Sequence, residues 1–265
     1  PVARAGTAGA IADAWARSEG RALHALLGGS AAPAPLTTDI TLPIGAPAYV
    51  AELARTYRAA GFSCFKVKIG RDYRADHVVL RAVAASVPDA RFRLDANAGF
   101  TARDALALLD LLAADALPLE CFEQPCARDD DEGNAHVTAL AGCPVIADEG
   151  CRTVEDVLHL AHKKAATGVN LKLSKHGGLV EAGRVGRAAR RAGLKVMVGA
   201  MVETRLGLTA MAHVARALGT VDFVDLDTAL LLRWDPFAGG YTLKGAVLTL
   251  DEGHGLNVTE AAPQA

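Results

Sequence analysis

Short apolar runs, most of them closing on polar or charged residues, alternate along this chain with longer Ala- and Leu-rich stretches of helical period. Eight of the short runs read as strands: TTDITLPI (37–44), FKVKI (65–69), RFRLDAN (91–97), CFEQP (121–125), PVIAD (144–148), VNLKL (169–173), KVMVG (195–199) and FVDLD (223–227). Helix candidates lie between them, such as PAYVAELARTYRAAG after the first and HGGLVEAGRVGRAARRAG after the sixth. A leading helix over about 7–27 is set off from this alternation by AAPAPLTT. The spacing predicts a parallel sheet joined by right-handed crossovers, and eight such units is the count that closes a TIM-type barrel. An open doubly wound sheet uses the same alternation. Two features favour the barrel: the first strand–helix turn lacks a glycine-rich phosphate fingerprint, and polar residues recur at the carboxyl ends of nearly all the strands. A barrel gathers those ends around one mouth. The expected class is therefore α/β.

Composition narrows the function. With 51% hydrophobic and 22% charged residues among 265, the chain has the profile of a globular protein with a sizeable core. A formal net charge of −2 and 5% aromatic residues give no case for nucleic acid or a membrane surface as partner. The five cysteines form no C-x-x-C pair and sit in or beside apolar runs, which reads as free thiols in a reducing compartment. No run is long enough to span a membrane, and PVARAGTAGA lacks the regions of a signal peptide, so a cytoplasmic enzyme is expected.

Asp95, Glu123 and Asp148 each follow an apolar strand, where an isolated buried carboxylate would be costly to desolvate. On consecutive strands they would converge and repel one another, a conflict that a divalent cation removes. Oxygen-only ligands suit Mg²⁺ or Mn²⁺. The competing reading is that each acid caps the helix after its strand. Asn97 and Glu149, just beyond these ligands, are candidates for supporting hydrogen bonds or for plain capping.

Lys66 and Lys68 stand at i and i+2 in FKVKI, so pleating puts both on one face, opposite Phe65, Val67 and Ile69. Two ammonium groups side by side depress each other's pKa, which suits a base. Lys172 lies four strands further on, on the opposite wall of a closed barrel. Lys68 and Lys172 could thus flank a substrate held on the metal. Structural neutralisation of the acids by Lys66 and Lys68 is the alternative, and for Lys172 a Schiff-base nucleophile, which leaves the three acids unexplained. Lys175 and His176 are expected in a loop, solvated or capping, and His136, His159 and His162 on helices without ligand spacing.

Together, Lys66 and Lys68, LDAN, FEQP, ADE, NLKLSKHGG and the E-T-R segment containing Glu203 resemble the enolase superfamily, most closely its muconate-lactonizing subgroup. The resemblance runs from about Gly6 to the C-terminus and implies a (β/α)7β barrel, a bound Mg²⁺ (or Mn²⁺) and Lys-mediated proton transfer through an ene-diolate. Within the subgroup, Asp225 and Asp227 of DLDTALLL resemble the pair with which dipeptide epimerases hold a substrate's α-ammonium. The alternative is that they balance the interior lysines. Glu203 either supports the site or caps the next helix beside Thr204.

The implied activity is epimerisation at the α-carbon of the C-terminal residue of a dipeptide such as L-Ala-D/L-Glu, with Lys66 and the metal binding its carboxylate. N-acylamino acid racemisation, o-succinylbenzoate synthesis, muconate cycloisomerisation and a non-catalytic metal-binding barrel are the alternatives. The family also carries an N-terminal α+β capping domain, of which only the last helix is expected here. That organises the chain as capping-domain helix and linker (1–32), catalytic barrel (33–240) and returning segment (241–265). Barrels of the family are often oligomeric, which extends here to an expectation of a homo-oligomer.

Overall fold

The computed structural model describes residues 1–30 and 34–262. The boundary expected between residues 32 and 33 lies outside the described residues, as does the very end of the segment 241–265. The elements run α1 (Val2–Ser18), α2 (Leu23–Leu26), β1 (Leu36–Thr37), β2 (Ile40–Leu42), α3 (Pro47–Ala59), β3 (Cys64–Lys68), α4 (Tyr73–Ser86), β4 (Arg91–Asp95) and α5 (Ala102–Ala114). Then come β5 (Leu119–Glu123), α6 (Asp131–Leu140), β6 (Val145–Ala147), α7 (Val154–Lys163), β7 (Gly168–Leu171), α8 (Leu173–His176), α9 (Leu179–Arg191), β8 (Lys195–Val198), α10 (Arg205–Leu218) and β9 (Phe223–Val224). A 3-10 turn (Thr228–Leu231) and strands β10 (Phe237–Gly239), β11 (Tyr241–Lys244), β12 (Val247–Leu250) and β13 (Val258–Glu260) follow.

The strands β2 to β9 form one eight-stranded sheet in strict sequence order, with a helix in each of the seven crossovers. This is the (β/α)7β barrel order, and all eight strands fall within the runs read from the apolar pattern or one to two residues from them. Among the described residues no helix is long and apolar enough to cross a membrane.

The chain packs as two compact units: Asp39–Asn170 with Ala189–Lys195, and Pro1–Thr38 with Leu171–Ala188 and Val196–Ala265. In the first, period-two pleating sorts side chains by polarity. Phe65, Val67, Phe92, Leu94 and Phe122 are fully or almost fully buried on one side of their strands. The opposite side carries Lys66 and Lys68, Arg93 and Asp95, Cys121 and Glu123. Parallel register aligns these into rows: Lys66 beside Arg93 and Arg93 beside Cys121, then Lys68 beside Asp95 and Asp95 beside Glu123. In the lower row Arg93 is buried between Asp39 at 2.9 Å and Glu120 at 2.8 Å. The helices start where the loops supply caps: Asp72 before α4, Thr101 before α5, Asp130 before α6, and a Thr153–Asp156 capping box before α7.

The second unit holds two antiparallel sheets besides its share of the barrel. One has the order β1–β12–β11, the other pairs β10 with β13. Its leading helices are tied to later parts of the chain: Arg17 donates to the Val258 carbonyl, and Asp13 accepts from the Leu256 amide.

Three expectations are corrected. The leading helix over 7–27 is two helices, because Gly20 turns left-handed (φ +63°) and the Leu23 amide bonds the Gly255 carbonyl instead of continuing the helix. TTDITLPI is not one strand. Thr37 belongs to β1, the Thr38 amide bonds Ala246, and the chain enters the barrel only at Ile40. Finally, Lys175 and His176 lie in the short helix α8 rather than a loop, and His176 is buried where Arg4 of α1 bonds its carbonyl at 3.1 Å.

Candidate functional site

The unit of residues 39–170 and 189–195 brings Lys66, Lys68, Asp95, Asn97, Glu123 and Glu149 together. Lys66 Nζ lies 3.1 Å from Asp95 Oδ2 and 2.7 Å from Glu123 Oε2, with all three side chains buried. Lys68 Nζ lies 2.6 Å from the same Asp95 oxygen and donates to Asn97 Oδ1 at 3.0 Å. Its side chain is 29% exposed against 2% for Lys66. Lys66 is thus enclosed between two carboxylates, while Lys68 stays partly exposed. Asn97 also donates to Glu149 Oε1 at 3.3 Å, and its own amide bonds Asp95 Oδ1 at 3.0 Å.

The carboxylates are not helix caps, since α5, α6 and α7 take theirs from Thr101, Asp130 and Thr153. Their loops turn away sharply instead. Asn97, Ala98 and Gln124 all adopt positive φ (44°, 63° and 35°), a strain of about 1 kcal/mol or more per residue. Hydrogen bonds hold that geometry in place: the Ala96 amide bonds the Glu123 carbonyl, and the Ala98 amide bonds the Gln124 carbonyl.

Two residues passed over in the sequence help to shape this cluster. Asn170 donates to Glu123 Oε1 at 2.7 Å. Gln124 accepts from the backbone amides of Asp148 and Gly150 at 2.9 and 3.0 Å, which fixes the strand end carrying Asp148. A signal for Asn170 was present: it is a polar residue inside an apolar strand, two positions before Lys172 and hence on the same face. Asp148 is buried at the end of β6.

The donors fit a hard divalent cation. They are carboxylate oxygens only, and Asp95 and Glu123 both lie against Lys66, with Lys68 also on Asp95. Both are buried, so their negative charge must be met by positive charge, which Lys66 and Lys68 supply here and a divalent cation would share.

The second unit places Lys172, Glu203, Asp225 and Asp227, all but Glu203 nearly inaccessible. Lys172 directly follows β7 and begins α8, its carbonyl accepting from the Lys175 and His176 amides. Glu203 lies over the first turn of α10, where an added Cβ on Gly207 would collide with its carboxylate. Thr204 makes no side-chain cap there. Burial pushes the Glu203 carboxyl above its ordinary value, opposed by the Met201 amide, the Ser174 hydroxyl and the Lys172 ammonium. The Asp225 amide bonds the Val198 carbonyl at 2.8 Å, and Thr228, just after Asp227, bonds the Met201 carbonyl and the Glu203 amide.

Comparison with known proteins gives the family of the chain. The protein is 42% identical to an L-Ala-D/L-amino acid epimerase of Populus trichocarpa over 95% of its own length, and spans 60% of that relative. It superposes on a substrate-liganded complex of the L-Ala-D/L-Glu epimerase from Bacillus subtilis with a TM-score of 0.94, at 33% identity, covering 98% of this chain and 73% of that one. A dipeptide epimerase from Enterococcus faecalis, complexed with Mg and the dipeptide L-Leu-L-Tyr, gives 0.91 at 34% identity, covering 97% and 73%. The model of the family described as enolase C-terminal domain-like matches residues 48–262, and the chain belongs to that family.

Proposed function

We propose that the protein is a Mg²⁺-dependent dipeptide epimerase that inverts the α-carbon of the C-terminal residue. One observation carries the reading. Lys68 Nζ stands at the open end of β3 against Asp95 and Asn97, beside a buried Asp95–Lys66–Glu123 group. That is a proton-transfer group next to a site that demands positive charge. Asp95, Glu123 and Asp148 would hold the cation, with Mn²⁺ as a substitute. When bound, it would supply Lewis-acid stabilisation of the charge that builds on the substrate carboxylate as the α-proton leaves.

The protein's own groups do the rest. Lys68 Nζ and Lys172 Nζ exchange the α-proton on opposite faces, one removing and the other returning it. Lys66 adds a fixed positive charge for the substrate carboxylate. Asn97 positions Lys68, with Glu149 behind it, and Asn170 orients Glu123. Asp225 and Asp227 accept the N–H groups of the substrate's free ammonium, and Glu203 sets the charge around Lys172. Relatives named as epimerases of L-Ala-D/L-amino acid, L-Ala-D/L-Glu and aromatic dipeptides support a dipeptide as substrate. N-acylamino acids, succinylbenzoate precursors and muconate lack the ammonium that two buried carboxylates would recognise. The free cysteines fit a cytoplasmic location, and a homo-oligomer is the assembly expected of the family.

The test is α-deuterium incorporation from D₂O into a panel of dipeptides in the presence of Mg²⁺. Exchange is expected with at least one dipeptide, abolished by a chelator, restored by Mg²⁺, and lowered about 10³-fold in Lys68→Ala. No exchange across the panel would sink the reading. Unchanged dipeptide turnover in an Asp225→Asn, Asp227→Asn double variant would remove the free amine from it.

A further inference from the structure

His24 of α2 and His213 of α10 are 4% and 2% exposed, and their rings stack with centroids 5.1 Å apart. His213 Nδ1 accepts the backbone N–H of His24 at 3.0 Å and faces His24 Nδ1 at the same distance. His24 is the second residue of α2, a helix whose own N-cap, Ala22, offers no side-chain bond. An imidazole from a distant helix therefore caps it. Accepting that N–H requires a lone pair on Nδ1, which assigns His213 to the neutral form with its proton on Nε2. That Nε2 is buried and has no hydrogen-bond partner among the described residues. A second proton on His213 would remove the cap's acceptor, place positive charge at a helix N-terminus, and leave an imidazolium without solvation.

We propose that the His24–His213 pair is an acid-sensitive clasp that pins α2 and the following turn to helix α10. The inference is independent of the epimerase reading.

Among the described residues, charged groups on the elements packed against the pair are engaged elsewhere. On α2 (LHAL) the titratable side chain is His24 itself, and just before it Arg21 bonds the Ala25 carbonyl. On α10, Arg216 lies one turn after His213, and burial lowers its own pKa. The segments FAG, VLTL and TALL packed on α10 carry no titratable group. On α1, Asp13 and Arg17 pair with each other, and Arg4 bonds the His176 carbonyl. On α9, which meets α10 where Gly186 approaches Leu218, Glu181 and Arg184 pair with each other. Burial first, and then the His24 ring, bring the His213 pKa down to about 3.

A base depressed in this way favours the closed state fully above its open-state pKa of about 6.5, and loses that preference as the pH falls from there towards about 3. Linkage then gives roughly a 30-fold shift towards the open state between pH 7.5 and 5.0.

The experiment is backbone amide exchange of residues 23–29 at those two pH values, corrected for intrinsic rates, with the interior of α10 as internal reference. Wild-type protection of the segment should fall roughly 30-fold relative to α10. His213→Gln keeps an acceptor but cannot titrate, and should change less than about 3-fold. A flat wild type, an equal fall in the variant, or a parallel fall in α10 would each overturn the clasp. Ring ¹⁵N shifts of the unmodified protein give a second reading: a neutral His213 at pH 5 in the protected state is expected. A charged His213 with a midpoint near 6.5 in that state would refute the clasp even if the variant fails to fold.

Discussion

Gly70, two residues past Lys68, adopts φ +108°, and a Cβ built there would overlap the Ala96 carbonyl oxygen. Gly99 has the reciprocal relation to the Gly70 carbonyl. The loops after β3 and β4 thus touch backbone to backbone at the point where Lys68 and Asp95 meet. Gly70→Ala should therefore destabilise the protein by about 3 kcal/mol in urea titration and weaken exchange activity with it. A change below about 0.5 kcal/mol would show the contact to be slack. At this scale the sequence was legible where period two exposed an anomaly: lysines in FKVKI and acids ending apolar strands. It was illegible where partners are remote. His24 and His213 are 189 residues apart, and neither breaks a local pattern. Gln124 acts through backbone amides that no residue pattern marks.

Elements were legible in the barrel because each strand is short and apolar, and β3 to β6 are each followed by a side-chain cap. The capping box of α7 is the fullest case: Thr153 Oγ1 accepts from the Asp156 amide at 3.2 Å, and Asp156 accepts from the Thr153 amide at 2.9 Å. Thr153→Ala should lower stability by about 1 kcal/mol and Thr153→Ser by much less, read as thermal midpoints. Because α7 follows the strand carrying Asp148, and the box lies beyond the Gln124 bonds, Mg²⁺ dependence of exchange should survive the substitution. The ends of the chain were harder to read. A helix-forming composition runs through Gly20, but the bond from Leu23 to Gly255 outweighs continuation. In TTDITLPI the β-forming residues are continuous, while their partners change from β12 to β3 within a few residues. Local preference cannot register such a switch, since it depends on residues that arrive later in the chain.

On the scale of the molecule, the two units differ in how the chain supplies them. One is nearly continuous, Asp39–Asn170 with a short return at Ala189–Lys195, and the other is assembled from three separated stretches. Long-range closure is slow because its entropy must be met before contacts reward it. In refolding followed by pulse-labelled amide exchange, amides of Phe92 and Leu94 should gain protection before those of β11 and β12. Simultaneous protection would indicate that the units fold as one. The antiparallel sheet β1–β12–β11 sets the order most sharply, since Leu36 pairs with Leu248. On the ribosome, Leu36 emerges long before its partner Leu248, and over that interval the nascent chain carries a strand edge still waiting for β12. That interval, rather than the barrel's own closure, is when the protein is most exposed to mispairing with neighbouring chains and most dependent on whatever shields it.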